Sequence, residues 1–286
     1  MTTVAPPTIV LPEDETNLAD EARTVAMVWR RELIRFERTR IRILTSLAQP
    51  ILFLFVLGYG MSGLVGTTAG FDFKKFVFPG VVAMSVVSTA IFSAVSIVWD
   101  REFGFLREML VAPVSRVSLV LGKAAGGATV ATVQGTIMLA LAPVIGVHLT
   151  ALLVVEVIGI ELLMALALTA FGVFIASRIE KMESFQVVMQ LVLLPMLFLS
   201  GAMFPLNGLP VWLSAVTRIN PLTYAVDPLR HVVFAAQNMP AAARARFPTG
   251  VELFGSKLPL DAELGITAAF ALIFLVLAGR GFNTTG

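Results

Sequence analysis

The sequence predicts an all-α, polytopic membrane protein with six transmembrane helices, and three observations support that fold class. Of its 286 residues, 57% are hydrophobic and only 14% are charged, whereas soluble domains carry about 25% charged residues. The mean hydropathy is +0.87, and six runs approach the length of about 20 apolar residues that a membrane-spanning helix needs. The N-terminus is polar and acidic, so we expect no cleavable leader and expect the first apolar run to stay in the membrane.

The six predicted spans are separated by short polar links, except for one long segment before the last span. They are Ile43–Gly63, Val77–Val98, Leu119–Ile145, Leu152–Ser177, Ser184–Phe204 and Asp261–Gly279. The sixth has the weakest signal, because acidic side chains stand at its entrance. Within the third, Gly122-x-x-x-Gly126 permits the close approach of another helix.

The chain before the first span divides into two parts. Residues 1–20 contain proline and acidic residues without periodicity, which predicts a disordered cytosolic tail. Residues 21–42 form an amphipathic helix with an apolar stripe and a basic remainder, and such helices lie in the membrane interface. Residues 43–286 then form the six-span domain.

The distribution of Lys and Arg predicts the orientation of the spans. Seven arginines precede the first span, and further basic residues lie in the links after spans two and four and after span six. Because basic residues accumulate in cytosolic links, both termini should be cytosolic and residues 205–260 extracellular. We therefore expect a multi-pass protein of the plasma membrane.

Several kinds of chemistry are absent from the sequence. There is no cysteine, no phosphate-binding loop of the G-x-x-x-x-G-K-[ST] type and no H-E-x-x-H pair. The two histidines, His148 and His231, are isolated, so we expect no catalytic residue, no metal site and no bound cofactor. The net charge of only +2 argues against nucleic acid as a partner.

The link between spans two and three alternates charged and large apolar residues and stops at Pro113. In a helix, Phe103, Leu106 and Leu110 would share one face with charged residues around it. A short helix of this kind can insert into a groove on a soluble partner. An ordinary interfacial loop helix explains the spacing equally well.

Residues 199–230 are apolar but interrupted by prolines, too often for one continuous span. This composition predicts short re-entrant helices that dip into the outer leaflet between spans five and six, with neighbouring protein satisfying their backbone groups.

Together, these two stretches resemble the permease subunits of type-2 ABC exporters, the ABC-2 type family. The first resembles the family's cytosolic coupling helix, here residues 100–113, with matches at Arg101, Glu102, Gly104, Leu106, Leu110 and Pro113, followed by Ser115 and Arg116. The second resembles the family's outer signature, with matches at Gly201, Pro205, Pro210, Asn220, Pro221 and Tyr224. The likeness extends from the interfacial helix to span six. Arg107 departs from it, since that position is usually acidic.

The resemblance implies a function and a set of partners. The coupling helix would dock on a separate ABC ATPase through Arg101, Glu102, Gly104, Phe105, Leu106, Arg107, Glu108, Leu110 and Pro113, and ATP and Mg would be bound by that ATPase. Two permeases, as a homodimer or paired heterodimer, would combine with two ATPases among membrane lipids. The substrate would be exported along the interface between the permeases.

The substrate is less well indicated. The 21 Phe and 12 Met residues favour an apolar, adaptable path for a hydrophobic drug or lipid, and the candidate path residues are Glu161, Gln190, Phe198 and Phe204. Glu161 lies near the middle of span four, where a carboxylate is costly, so it is either satisfied structurally or faces a wet cavity. Gln190 could instead join helices by hydrogen bonding. Export of a polysaccharide or glycolipid, a secondary transporter and a non-transporting scaffold are the alternatives.

Overall fold

A computed structural model describes residues 18–65, 72–104, 115–206, 208–237, 239–247, 249–253 and 256–283. Within them the helices are α1 (Leu18–Arg38), α2 (Arg40–Val65), α3 (Phe73–Ser93), α4 (Val95–Glu102), α5 (Arg116–Leu139), α6 (Ala151–Ala176), α7 (Met182–Leu199), α8 (Val211–Ile219), α9 (Pro221–Ala236), α10 (Ala241–Arg246) and α11 (Leu260–Asn283). A 3₁₀ turn (Ala142–Ile145) and a short antiparallel hairpin of β1 (Glu252–Leu253) and β2 (Ser256–Lys257) complete these elements.

Six segments are long and apolar enough to cross a membrane, which confirms the all-α, six-span prediction. Their bounds are Ile43–Gly63, Phe73–Glu102, Arg116–Ile145, Ala151–Ala176, Met182–Leu199 and Leu260–Gly281. The first coincides with the predicted span. The sixth, whose sequence signal is weak, is 22 residues long and contains an 18-residue stretch with a mean hydropathy of 2.1.

Helix α3 forms the centre of the bundle, packed against α2, α5 and α6. Its residues from Phe76 to Val87 are all buried, because they are apolar or small around the whole circumference. At its outer end a Cβ on Gly80 would lie only 1.7 Å from the carbonyl oxygen of Ala202. Glycine therefore lets the chain after α7 contact this helix directly.

The connections between spans gather at two opposite ends of the bundle. At one end, Arg101 after α3 contacts the backbone after α6, and Gly281 lies close to Ser177. At the other end, Gln237 exchanges two hydrogen bonds of 3.1 Å with the backbone of His148. We call the first end the coupling end and the second the outer end.

Helix α1 packs lengthwise on α5 at the coupling end. Cβ atoms on Gly122 and Gly126 would lie 2.6 Å and 2.7 Å from the Cβ atoms of Val28 and Glu32, so the glycine pair admits α1. The buried positions of α1 are Thr24, Val28 and Glu32, whereas the apolar stripe seen in the sequence includes Trp29, which is 38% exposed. The face of α1 that packs on the bundle therefore includes the charged Glu32, because α5 offers it a partner of opposite charge, described below.

Candidate functional site

The last turn of α4 is bound to the link between α6 and α7. Arg101 Nη1 donates to the carbonyl oxygens of Ser177 at 3.1 Å and Ile179 at 3.4 Å. Glu102 Oε2 accepts from the backbone N–H of Met182 at 3.2 Å, which is the first residue of α7. Two charged side chains of the predicted coupling motif therefore join α4 to the start of another span.

A buried ion cluster joins α4 to α1 and α5. Lys123 Nζ of α5 lies 2.8 Å from Glu32 Oε1 of α1 and 3.3 Å from Asp100 Oδ2 of α4, and it donates to Ser96 Oγ at 2.7 Å. Arg31 Nη2 lies 3.4 Å from the same Asp100 oxygen. Because the side chains of Lys123, Glu32 and Asp100 are at most 10% exposed, their charges must be balanced locally.

Only the start of the predicted coupling helix lies within the described residues. Gly104 has a φ of +81°, a left-handed conformation that glycine adopts without strain, and it follows the end of α4. Phe103 is 65% exposed and contacts the ring of Trp99 edge-on. The remaining residues of the predicted docking set lie outside the described residues; they are Phe105, Leu106, Arg107, Glu108, Leu110 and Pro113.

A cavity of about 770 Å³ adjoins this coupling end. Its walls come from α1, α2, α3, α4, α5 and α7. The volume lies in the usual range for small-molecule pockets, about 300–1,000 Å³. Ser96 and Trp99 of α4 line it, so the cavity directly adjoins the helix whose last turn carries Arg101 and Glu102.

Two of the four predicted path residues line this cavity. Gln190 and Phe198 do so from α7, one face of which contributes both. Phe204 is half-buried against the core, and its neighbour Met203 lines the cavity instead. Glu161 lies elsewhere.

Glu161 is fully buried between spans, away from the cavity. A Cβ on Gly135 would lie 2.7 Å from its carboxyl carbon and 2.5 Å from Val86, so the carboxyl group fills a notch that glycine leaves open. Neither carboxyl oxygen has a hydrogen-bond partner among the described residues. The neighbouring Thr136 hydroxyl donates to its own helix at Thr132.

The residues of the outer signature organise the chain between α7 and α9. Asn220 accepts from the N–H of Leu222 at 3.1 Å as the N-cap of α9, and donates to the Met196 carbonyl at 2.7 Å. Pro221 follows at the first helical position, which suits proline because no hydrogen-bonded N–H is needed there. Tyr224 donates to the carbonyl of Arg218 at 2.6 Å. These contacts tie α8 and α9 to the end of α7.

The glycine and prolines of the signature form the turn before α8. Gly201 has a φ of +78°, and its carbonyl accepts a hydrogen bond from Arg230. Pro205 lies in the irregular stretch that follows, and Pro210 stands immediately before α8 as its N-cap. The guanidinium of Arg230 also lies 4.4 Å from the ring centroid of Phe76.

The charged side chains of α9 are buried as well. Burial lowers the pKa of Arg230 to about 10, an effect that the nearby Asp227 opposes. Burial likewise raises the pKa of Asp227 above its usual value, opposed first by Arg230 and then by the hydrogen bond from Gly250 N, at 2.7 Å. Asp227 thereby fastens the chain before β1 to α9.

Sequence reasoning missed Lys123 and Glu32, the two closest partners in the ion cluster. Lys123 stands between the two glycines of Gly122-x-x-x-Gly126. A lysine inside a membrane span is expected to pair with an acidic side chain or a backbone carbonyl. Glu32 is the one acidic residue within the stretch from Thr24 to Phe36 of α1. Pairing these two signals could have identified which helix the glycines receive.

Comparisons with known proteins show which family the chain belongs to. The family model described as ABC-2 type transporter matches residues 23–234, which include α1, the coupling end, the cavity helices and the outer signature. The chain is 32% identical over 208 residues to Nodulation protein J of Rhizobium leguminosarum bv. viciae, covering 71% of this chain and 79% of that protein. It is 28% identical over 211 residues to a transport permease, ycf38, of Cyanophora paradoxa, covering 70% of this chain and 71% of that protein.

A third similarity covers a shorter stretch. A protein of Escherichia coli (strain K12) named as the multidrug ABC transporter permease YbhR is 31% identical over 163 residues, which are 54% of this chain and 43% of that protein. The family match covers most of the chain and includes both motifs described above. This chain therefore belongs to the ABC-2 type transporter family.

Proposed function

We propose that this chain is the membrane-spanning permease of an ATP-driven exporter that moves a hydrophobic or amphiphilic substrate across the plasma membrane. Membership of the ABC-2 family implies an ATP-binding partner subunit. ATP and Mg belong to that partner, and this chain contributes the path and the coupling. The arginines before the first span and in the links at the coupling end favour a cytosolic position for that end.

The observation that carries the proposal is the contact between the cavity and the coupling end. Glu102 holds the first residue of α7, and α7 lines the cavity through Gln186, Gln190 and Phe198. A displacement of the coupling helix would therefore act on a cavity wall through α4. An ATPase that closes on ATP can favour one of two cavity shapes in this way.

A second permease is the partner we propose for the open side of the cavity. The spans in α7 and α2 are only 17% and 22% buried, against 72% for the span formed by α3 and α4. Large apolar side chains remain exposed on both, among them Leu52 and Val56 on α2 and Leu191 and Leu194 on α7. Two chains that meet through these helices would enclose the cavities, with lipid around the remaining spans.

Reconstitution tests the proposal directly. The permease is purified together with the ABC ATPase that binds it, and the complex is placed in vesicles loaded with a fluorescent amphiphile. We expect ATP-dependent movement of the amphiphile that requires both subunits. Movement driven by an ion gradient with the permease alone would show a secondary transporter, and a permease that neither binds an ATPase nor moves any amphiphile would show a scaffold.

A further inference from the structure

The ion cluster at the coupling end carries an excess of positive charge. Within the described part of the chain it holds three cations and two carboxylates, namely Arg31, Arg35 and Lys123 with Glu32 and Asp100. Lys123 lies within 3.3 Å of both carboxylates, and Arg31 lies 3.4 Å from Asp100 and 3.7 Å from Glu32. Because two carboxylates cannot neutralise three cations, one positive charge is left over in this cluster.

Arg35 is the member of the cluster that carries the excess charge. Its one carboxylate neighbour among the described residues is Asp100, 4.0 Å away, and Arg31 and Lys123 are both closer to that carboxylate. The Arg35 guanidinium donates no hydrogen bond to a described residue, and 44% of its side chain is exposed. Its N–H groups can therefore bind a ligand that carries acceptor oxygens.

This arginine lines the cavity at the coupling end. Arg35 does so from α1, together with Phe36 and Thr39. Asp100, which lies beside its guanidinium, stands two residues before Glu102 in the last turn of α4. A guanidinium presents a fork of N–H groups that matches the oxygens of a phosphate, sulfate or carboxylate. The coupling end of the cavity is thus suited to an acidic group.

The rest of the wall offers no competing charge. Among the described lining residues only Arg35 and Glu32 are charged, and Glu32 Oε1 lies 2.8 Å from Lys123 Nζ with 9% of its side chain exposed. The other lining side chains are amides, hydroxyls and apolar groups. An anionic head would compensate the excess positive charge, whereas a cationic head would be repelled by it.

From these observations we infer that the cavity takes amphiphiles with an acidic head group, which Arg35 binds. The uncharged remainder of the molecule lies along the wall of amides, hydroxyls and apolar side chains. The inference rests on the proposed function and narrows its substrate class. An acidic membrane lipid has the same head-group chemistry as an acidic export substrate, and ATP-dependent movement of the bound molecule distinguishes the two.

Three amphiphiles with the same dodecyl tail and different heads test the inference. Equilibrium binding of dodecyl phosphate, dodecyl maltoside and dodecyltrimethylammonium is measured on the permease–ATPase complex in nanodiscs of phosphatidylcholine. The wild-type complex should bind the anionic phosphate most tightly. Arg35→Gln should weaken binding of the phosphate about tenfold, because a charge-assisted hydrogen bond is lost. Binding of the neutral maltoside should change little.

Two further variants control for assembly and for surface charge. Arg35→Lys keeps the positive charge and should retain the preference for the phosphate, even if Arg35→Gln fails to assemble. Arg38→Gln removes an exposed arginine from the last turn of the same helix, outside the cavity lining, and should bind all three amphiphiles as the wild type does. Equal weakening of phosphate binding by Arg35→Gln and Arg38→Gln would overturn the inference. So would loss of the preference in an intact Arg35→Lys complex.

A transport measurement identifies the source of the ligand. Fluorescent analogues of the three amphiphiles are supplied to vesicles that contain the complex, and we expect ATP to move the phosphate fastest. Binding of the phosphate without ATP-dependent movement would show a resident membrane lipid and overturn the substrate assignment. Faster movement of the neutral or cationic analogue would also overturn it, while leaving the exporter proposal intact. The exporter proposal itself fails if ATP moves none of the three.

Discussion

Lys123 lies within a membrane-spanning helix, yet its ammonium group has two carboxylates within 3.3 Å. In the low-dielectric interior, such a cluster is maintained only while all its members remain. The cluster holds three helices that are far apart in sequence, because Glu32 belongs to α1, Asp100 to α4 and Lys123 to α5. Its role is therefore to fix α1 and the coupling end to the bundle.

Lys123→Met tests this role. It leaves Glu32 and Asp100 without their shared cation, at a cost of about 3 kcal/mol, and we expect α1 to separate from α5. Hydrogen exchange of the α1 amides should then rise sharply, and the melting temperature should fall. Lys181→Met, at an exposed position in the link before α7, is the control and should change neither. Unaltered protection of α1 in Lys123→Met would show that the glycine packing alone holds it.

Glu161 and Gly135 provide a second test for single residues. A Cβ at position 135 would meet both the Glu161 carboxyl group and Val86, so Gly135→Ala should destabilise the bundle by about 1–3 kcal/mol. Gly159→Ala on α6 has nothing within 4 Å of the new Cβ and serves as the control.

Glu161→Gln keeps the shape without the charge, so it should preserve both stability and transport of cationic and neutral amphiphiles. A selective loss of cation transport in Glu161→Gln would instead place this residue in the path.

Helix α4 is the element that connects the coupling end to the cavity wall. Its final turn holds the link after α6 through Arg101 and the start of α7 through Glu102. Helix α7 is the least buried span, so few contacts resist its displacement. Under the proposed function, the contacts of α4 would carry a movement of the predicted coupling helix to the cavity wall.

Glu102→Ala should uncouple a movement of the predicted coupling helix from a movement of α7 in the cavity wall. The hydrogen bond to Met182 N is lost, so we expect ATP-driven transport to fall several-fold while membrane insertion and basal ATP hydrolysis persist. Glu180→Ala removes an exposed carboxylate from the link that α4 contacts and should transport normally. Full transport by a correctly inserted Glu102→Ala protein would exclude this contact as the coupling route.

The elements differ in how far the sequence could predict them. Long apolar runs can be assigned as spans from the sequence alone, because in lipid the backbone of a single segment must form a helix. The span Ile43–Gly63, for example, was predicted with the same first and last residue that the structure shows. The buried face of α1 was not predictable in this way. Its apolar stripe predicted a helix that lies in the membrane interface, whereas Glu32 turns inward because Lys123, about ninety positions away in the chain, neutralises it. Long-range pairs of this kind leave no periodic signal.

At the scale of the whole molecule, the sequence predicted six membrane-spanning helices and their order along the chain. It did not predict the cavity, because the lining residues are dispersed over α1, α2, α3, α4, α5 and α7 and form one wall only when these helices pack. Nor did the sequence predict that Gln190 lines the cavity whereas Glu161 is buried away from it, since each is a polar residue in a span. The depth of a residue in the membrane can be predicted from its position along the helix. Whether a polar residue faces a cavity or another helix depends on how the neighbouring helices pack.

Accessibility of the cavity during the ATPase cycle tests the central claim most directly. Because the chain has no cysteine, Gln190→Cys introduces a single reactive thiol into the cavity wall, and Glu180→Cys gives an exposed reference at the coupling end. Inside-out vesicles with the complete permease–ATPase complex are treated with a membrane-impermeant maleimide, with and without trapping of nucleotide by vanadate. We expect the thiol at position 190 to react without nucleotide and to be protected after trapping, while the reference thiol at position 180 reacts in both states. Equal reaction of the cavity thiol in both states would contradict a cavity that the ATPase opens and closes.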